Sequence, residues 1–392
     1  MAEKKLNIAH FINSFYPCLA AGGVVNVAYQ IAKQQTTQNN NITIYTTDGC
    51  IKRLNIPTNT PQKKENMNII YFKNISNYLR MTLKIANPPK LPGYLKKHIT
   101  EHDILHLHEH RTTFAIQAYK QAHKKNIPYI IQSHGSVLPL FQKEKWKTLF
   151  DKTWGNTILQ NASCLLSLTT EETQQYQKMG IPSEKIKQIN NGINLNEYQK
   201  LPSPHTFREK YNIPPDKIIL LYLGRIHPIK GLHKLIQSLK ELLNKKYPIH
   251  LVIVGSDDGA KTQLKQQAQK LKITQNITWT GPLTGTPKLE AYTASNIFIL
   301  PSEYETFSIS TLEAMACHKP VIISTHCQMK TWINKKYGLI FPEGKLTTTI
   351  EQLINNPELS RKYGTAGRKI VEEKYNWKTI VKELDQIYKE YI

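Results

Sequence analysis

Pro301-Ser302-Glu303-Tyr304-Glu305-Thr306-Phe307-Ser308-Ile309-Ser310-Thr311-Leu312-Glu313-Ala314-Met315-Ala316 is the stretch on which the reading of this chain turns. The apolar run 297–300 before it reads as a strand, and the residues after Ser308 have helical character. Its polar groups therefore sit where a strand hands over to a helix. In open α/β sheets such junctions bind anions, because free backbone N–H groups and the helix dipole favour negative charge there. Glu305 and Glu313 lie eight positions apart around the junction, one at the turn and one about two helical turns on. The first can hold ligand hydroxyls at the turn, and the second can reach further along the same ligand.

Outward from that junction, strand and helix patterns alternate along the chain, as in stacked βαβ units. The first half predicts strands over 6–12, 42–46, 67–72, 104–107, 129–132 and 165–168. Helices over 24–35, 112–125 and 171–179 lie among them. A Pro-rich polar run over 195–216 breaks the pattern and reads as a connection holding a short helix. Strands over 218–223, 249–254, 277–279, 297–300 and 321–323 follow, with helices over 232–243 and 261–271 and an amphipathic helical tail over 357–392. A chain of 392 residues exceeds what one core usually supports. The expectation is two Rossmann-like α/β domains, 1–195 and 196–375, with a terminal helix over 376–392. Ligands of such a pair bind between the carboxyl ends of the two sheets.

The formal net charge is +23, and residues 1–195 hold 24 Lys and Arg against 11 Asp and Glu, so the excess is spread over both halves. Such a field suits an anionic partner: a nucleotide diphosphate, an acidic lipid surface or nucleic acid. A lysine-rich genome gives the same composition. Cys18, Cys50, Cys164, Cys317 and Cys327 form no C-x-x-C pair and read as free thiols in a reducing compartment. Asn7, His10 and Asn13 make the N-terminal apolar run a poor signal peptide. No stretch approaches the roughly 20 apolar residues of a membrane span.

Several shorter motifs follow predicted strands. Gly22-Gly23 precedes a helix and lets backbone approach a phosphate, although a glycine pair at a turn is common. Gly224-Arg225 ends a strand and Lys230-Gly231 opens the next helix, so two cations on one loop suit a pyrophosphate that gains charge as it leaves. A solvated loop with two surface cations is the plain alternative. His134-Gly135 lies at a strand's carboxyl end, where a lone histidine is more often a turn residue than a functional one. His106, His108 and His110 alternate along Ile-Leu-His-Leu-His-Glu-His without a carboxylate cluster, and no metal site is assigned to them. Ser256-Asp257-Asp258-Gly259 reads as a turn at a strand end.

Taken in order, these motifs resemble the retaining, nucleotide-sugar-dependent glycosyltransferases of family four, which have the GT-B fold: two Rossmann-like domains facing each other across a deep cleft. The matching runs include D-I-L-H-L-H-E-H-R-T, I-I-Q-S-H-G-S, N-N-G-I-N, L-G-R-I-H-P-I-K-G-L and T-G-P-L-T-G-T-P-K-L-E-A-Y before the Glu segment. The resemblance implies that domain 1–195 binds the acceptor, that domain 196–375 binds the nucleotide sugar, and that the helix over 376–392 crosses back to the first domain. It implies that Gly22 and Gly23 lie by the donor diphosphate, that Arg225 and Lys230 reach it, and that His134 faces the donor sugar. It also implies that Glu305 holds a sugar hydroxyl, that Glu313 accepts the ribose hydroxyls, and that Ser308, Ile309 and Ser310 offer backbone N–H groups to phosphate. Four departures stand out. Asn194 replaces an Asp, Thr306 and Ser308 stand where Gly is frequent, His318 stands where Gly often precedes Lys-Pro-Val, and Lys330-Thr331-Trp332 lacks the usual carboxylate.

The implied chemistry is transfer of a hexose-type sugar, with retention, from a nucleotide-diphosphate sugar to a saccharide or lipid-linked saccharide. UDP sugars are the commonest donors, no cofactor or metal is required, and surface polysaccharide assembly is the setting. A nucleotide-sugar epimerase-like enzyme and a basic nucleic-acid-binding protein are the competing readings, the latter without any RRM, KH or helix-turn-helix signature. The expected location is cytoplasmic. The mixed basic and apolar stretch 78–97 suits peripheral contact with an anionic inner membrane face, or equally a basic loop before a surface helix.

Overall fold

The computed structural model describes residues 5–18, 22–50, 52–78, 86–139 and 144–392. It divides into two units, Met1–Asn191 with Trp377–Ile392, and Gly192–Asn376. Among the described residues the first unit holds strands β1 (Asn7–Phe11), β2 (Asn41–Thr47), β3 (Pro61–Lys64), β4 (Met67–Phe72), β5 (Ile104–His108), β6 (Tyr129–Gln132), β7 (Cys164–Ser167) and β8 (Ile186–Gln188). They form one sheet in the order β3-β4-β2-β1-β5-β6-β7-β8. All pairings are parallel except the β3–β4 edge hairpin. The second unit holds β9 (Ile218–Leu223), β10 (Ile249–Val254), β11 (Ile277–Gly281), β12 (Ile297–Leu300), β13 (Val321–Ser324) and β14 (Gly338–Phe341) in a parallel sheet ordered β11-β10-β9-β12-β13-β14.

The strands are short runs of Val, Ile and Leu because a parallel sheet covered by helices is buried on both faces. Every residue of β10, β12 and β13 is buried. Each fully buried aliphatic side chain stabilises by about 1.5–3 kcal/mol through area removed from water. Strands β3, β8 and β14 escape sequence reading. β3 is Pro-Gln-Lys-Lys with no aliphatic residue, and it forms only because Glu65 and Asn66 take positive φ and turn it back on β4.

The Trp377–Lys389 helix buries Trp377, Ile380, Val381, Leu384, Ile387 and Tyr388 in the same cluster as Val25, Ala28, Tyr29, Ile31 and Ala32 of the Gly23–Thr37 helix. It therefore completes the core of the first unit, although it comes last in sequence. The connection in the second unit carries a 3-10 turn over Leu195–Tyr198, which Asn194 caps by accepting from the Asn196 N–H, and a helix over Pro204–Lys210. No helix among the described residues is long and apolar enough to cross a membrane.

The cysteine reading needs correction. Cys18 and Cys50 form a disulfide, with Cα atoms 5.7 Å apart. They follow β1 and β2, which pair in parallel, so the sheet brings together two residues 32 apart in sequence. Spacing along the chain carries no trace of that. Cys164, Cys317 and Cys327 are free and buried.

In the second unit the loop after β9 crosses the loop after β12 closely. Gly231 has φ +64°, and a Cβ there would stand 2.1 Å from the Pro301 carbonyl oxygen. Gly231→Ala therefore meets both a left-handed backbone penalty and a backbone clash. It should lower unfolding free energy by more than about 1 kcal/mol in urea titration. A loss below the error of that titration would show that this crossing does not constrain the unit.

Candidate functional site

The second unit gathers its polar groups where β9 and β12, neighbours in the sheet, end. Lys230 Nζ lies 2.5 Å from Glu305 Oε2, and both side chains are largely buried. Glu305 is fixed through its backbone. Its N–H donates to the His326 carbonyl at 3.4 Å and its carbonyl accepts from the Gln328 N–H at 2.8 Å. The turn after β13 therefore braces the carboxylate that β12 delivers. The Lys330-Thr331-Trp332 departure belongs to this brace, with Lys330 Nζ on the Thr325 carbonyl at 2.7 Å and the Trp332 ring stacked on Tyr375 at 4.4 Å. Arg225 is exposed, and its guanidinium meets Asp258 Oδ2 at 2.6 Å. Asp258, read from sequence as a turn residue, is thus the partner of a predicted site cation.

Ser308 caps the Ile309–Ala316 helix by accepting from the Thr311 N–H at 3.2 Å. A serine instead of glycine at this position therefore supplies a helix cap. Its own N–H, the first of the three expected phosphate donors, is directed to Met329 Sδ at 3.1 Å. Ile309 and Ser310 lie in the first turn, where N–H groups have no intrahelical acceptor. His318, just past the end of that helix, has φ +58°, the conformation a glycine adopts most readily.

Glu313 is buried and doubly engaged, with Oε1 accepting from Lys288 Nζ at 2.6 Å and Oε2 from the Tyr292 hydroxyl at 2.8 Å. Burial pulls the Lys288 ammonium down, but the adjacent carboxylate outweighs it and holds the group above its ordinary range. Lys288 and Tyr292 were not singled out from sequence. Their i, i+4 spacing along Pro-Lys-Leu-Glu-Ala-Tyr was the available signal.

In the first unit, Gly22 takes φ +131° at the start of the Gly23–Thr37 helix, and a Cβ at Gly22 or Gly23 would meet open space. His134 and Gly135 follow β6 with φ +52° and +83°. A non-glycine residue in this region is uncommon and is held there by its surroundings. Here Glu172 Oε1 accepts from the Gly135 N–H at 2.7 Å and Oε2 from the Leu168 N–H at 2.6 Å, and Arg111 donates to the Ser136 and Val137 carbonyls. Arg111 is itself fixed by two 2.7 Å bonds to Asp151.

Behind His134 lies a stack of buried imidazoles. His108 Nδ1 is 3.0 Å from His134 Nε2, and His108 Nε2 is 3.0 Å from His10 Nδ1. His106 stacks on His108 with centroids 4.2 Å apart and meets the Tyr388 hydroxyl at 2.6 Å. His10, His106 and His108 also bring one potential metal-ligand atom each within 4.8 Å of one another. The sequence gives His10 no place in a site, because nothing in β1 tells that its register places it opposite His106.

The two halves of the chain match separate family models. Residues 21–197 match glycosyltransferase family 4, and residues 204–370 match glycosyl transferases group 1. An uncharacterised glycosyltransferase of Methanocaldococcus jannaschii is 25% identical over 305 residues, 74% of this chain and 76% of that protein. The capsular polysaccharide biosynthesis glycosyltransferase CapM of Staphylococcus aureus is 30% identical over 207 residues, which is 52% of this chain and about half, 53%, of that protein. The crystal structure of Anabaena HepE in complex with UDP-glucose aligns with a TM-score of 0.77 and 17% identity, over 98% of this chain and 100% of that one.

Burial holds the histidine stack neutral. It lowers His10 to about 4, against the weaker upward pull of Gln35, and lowers His134 to about 3. His106 and His108 fall well below the ordinary range, first through burial and then through neighbouring imidazoles. The unfolded chain, with ordinary values near 6.5, takes up these protons first, so stability present above pH 6.5 is lost as pH falls towards 4. For His10 alone the loss is roughly 3 kcal/mol. Glu172 opposes it, since burial raises it to about 7 against the bonds from Leu168 and Gly135, but it is one group against four. Urea midpoints should therefore drop between pH 6.5 and 4.5, and an unchanged midpoint would contradict a neutral buried stack.

Proposed function

The chain is a glycosyltransferase of family 4 with the GT-B fold, and from that membership we propose that it moves a hexose from a nucleotide-diphosphate sugar to a saccharide or lipid-linked saccharide, with retention of anomeric configuration. The observation that carries this reading is the Lys230–Glu305 pair beside the Ile309–Ala316 helix N-terminus. One cation, one carboxylate and a helix N-terminus correspond to the diphosphate and the hydroxyls of one donor. When the diphosphate takes Lys230, Glu305 is released to accept from a sugar hydroxyl, so one ion pair is exchanged for two ligand contacts. Glu313 then serves the ribose through lone pairs not used by Lys288 and Tyr292.

In the proposed reaction the bond between the anomeric carbon and the phosphate oxygen breaks through an oxocarbenium-like state. The acceptor oxygen attacks from the same face and its proton passes to a phosphate oxygen of the leaving group. Arg225, Lys230 and the helix N–H groups stabilise the charge that develops on the diphosphate. These cations take the role a divalent metal would otherwise fill, and a metal-independent reaction is part of the proposal. A UDP sugar is the proposed donor, in keeping with the UDP-glucose in the HepE complex, and surface glycan assembly is the proposed setting, in keeping with CapM.

We also propose a cytoplasmic enzyme that touches an anionic membrane face peripherally. Trp146 and Leu149, three apart on the Glu144–Phe150 helix, are 73% and 52% exposed, with Lys145 and Lys147 on either side of Trp146. Lys96, Lys97 and His98 end the Leu91–His98 helix. Residues 79–85 of the stretch singled out from sequence lie outside the described residues.

Nucleotide release across UDP-, GDP- and ADP-sugars without added metal should single out one donor, and Glu305→Ala should abolish it. Arg225→Ala should cost roughly 2–4 kcal/mol of transition-state stabilisation. Unchanged turnover in either variant would remove the assigned roles. Anionic vesicles should co-sediment the protein more than zwitterionic ones, with the difference reduced in a Trp146→Ser, Leu149→Ser double variant. Equal sedimentation would remove the membrane contact.

A further inference from the structure

The histidine stack has a direction, and it can be read from groups whose hydrogen-bond roles are fixed. The Leu6 N–H, a donor only, meets Asn40 Oδ1 at 3.1 Å. Asn40 must therefore turn its amide NH2 to its other partner, Asp385 Oδ2, at 2.8 Å. A carboxylate accepts only. Asp385 Oδ1 accepts from Gln35 Nε2 at 3.1 Å, which leaves Gln35 Oε1 facing His10 Nε2 at 2.8 Å. An amide oxygen cannot donate, so His10 carries its proton on Nε2, and in a neutral ring its Nδ1 is an acceptor. The 3.0 Å bond to that Nδ1 must then come from a proton on His108 Nε2. The same step along the next 3.0 Å bond puts the proton of His134 on Nε2. At the end of the string His134 Nδ1 is a bare lone pair, buried and without a hydrogen-bond partner among the described residues.

We propose that Asp385, Gln35, His10 and His108 are positioning residues that hold His134 as its neutral Nε2–H tautomer, so that the ring nitrogen left for a ligand accepts from a hydroxyl and rejects a phosphate oxygen. The role of the ligand rests on the reading that His134 faces the donor sugar. The string itself does not. It lies wholly in the first unit, and it runs from Asp385 on the terminal helix, 251 positions along the chain from His134, through β1 and β5. Each member is buried except His134, so water has little chance to reset the polarity. An unsatisfied buried acceptor at the end of a satisfied string is costly unless something donates to it, and a ligand hydroxyl does. The competing reading, a metal held by His10, His106 and His108, would have to displace the proton that His10 and His108 share.

The test is a nitrogen-proton correlation spectrum of the histidine rings in the full chain, uniformly labelled with nitrogen-15, at neutral pH without ligand. His10, His108 and His134 should each show the neutral Nε2–H pattern. An Nδ1–H tautomer or an imidazolium at His134 overturns the proposal without any variant being made, as does stoichiometric zinc in the protein as purified. In Gln35→Leu the three rings should lose their common tautomer, and KM for the donor sugar should rise roughly threefold to tenfold, the worth of one neutral hydrogen bond, while affinity for the nucleoside diphosphate alone stays within twofold. A scrambled tautomer with unchanged KM overturns the hydroxyl-acceptor role. Absence of donor turnover in the unsubstituted protein would instead remove the transferase reading and leave the tautomer result standing.

Discussion

With the exception of the β3–β4 hairpin, every strand pairing in both sheets is parallel, so each strand must be followed by a crossover and all carboxyl ends of a sheet open on one edge. That constraint places the candidate groups of each unit. Gly23, His134, Arg225, Lys230 and Glu305 all stand in connections that leave a strand's carboxyl end or at the start of the helix that follows. Within one unit, side chains far apart in sequence can meet where neighbouring strands deliver them. Lys230 and Glu305, 75 residues apart, meet because β9 and β12 are adjacent.

The cost of this arrangement appears in the backbone. Crossing loops at a crowded sheet edge need conformations that few residues take, and the chain meets this in two ways. Gly231 gives up its Cβ so that the Pro301 carbonyl can approach, while His134 bears left-handed φ with a side chain attached. At His134 the surrounding bonds from Glu172 and Arg111 to the loop hold the conformation in place. Charge is arranged with similar economy. Lys230 with Glu305, Lys288 with Glu313 and Arg225 with Asp258 neutralise one another, so the groups that would meet a ligand do not stand as lone charges.

Much of the fold was legible because parallel strands buried on both faces leave continuous aliphatic runs. The strands predicted over 218–223, 249–254 and 297–300 coincide with β9, β10 and β12. Where burial is not what forms an element, as in the polar edge strand β3, the pattern carries no signal. The candidate residues stood out for a related reason, since charged groups directly after an apolar run mark a strand end. Their partners did not. Asp258, Lys288, Tyr292, Met329 and Glu172 gain meaning only from the side chain or N–H they meet, and each is an ordinary loop or helix residue in sequence.

The sequence by itself determined the α/β alternation, the division into two Rossmann-like halves and the order of polar motifs at strand ends, because these follow from local hydrophobic periodicity and turn chemistry. Only the tertiary structure decided which of those groups are paired and that Cys18 joins Cys50. It alone decided the line of hydrogen bonds from Asp385 to His134, because the direction of each bond depends on a neighbour supplied by a distant part of the chain.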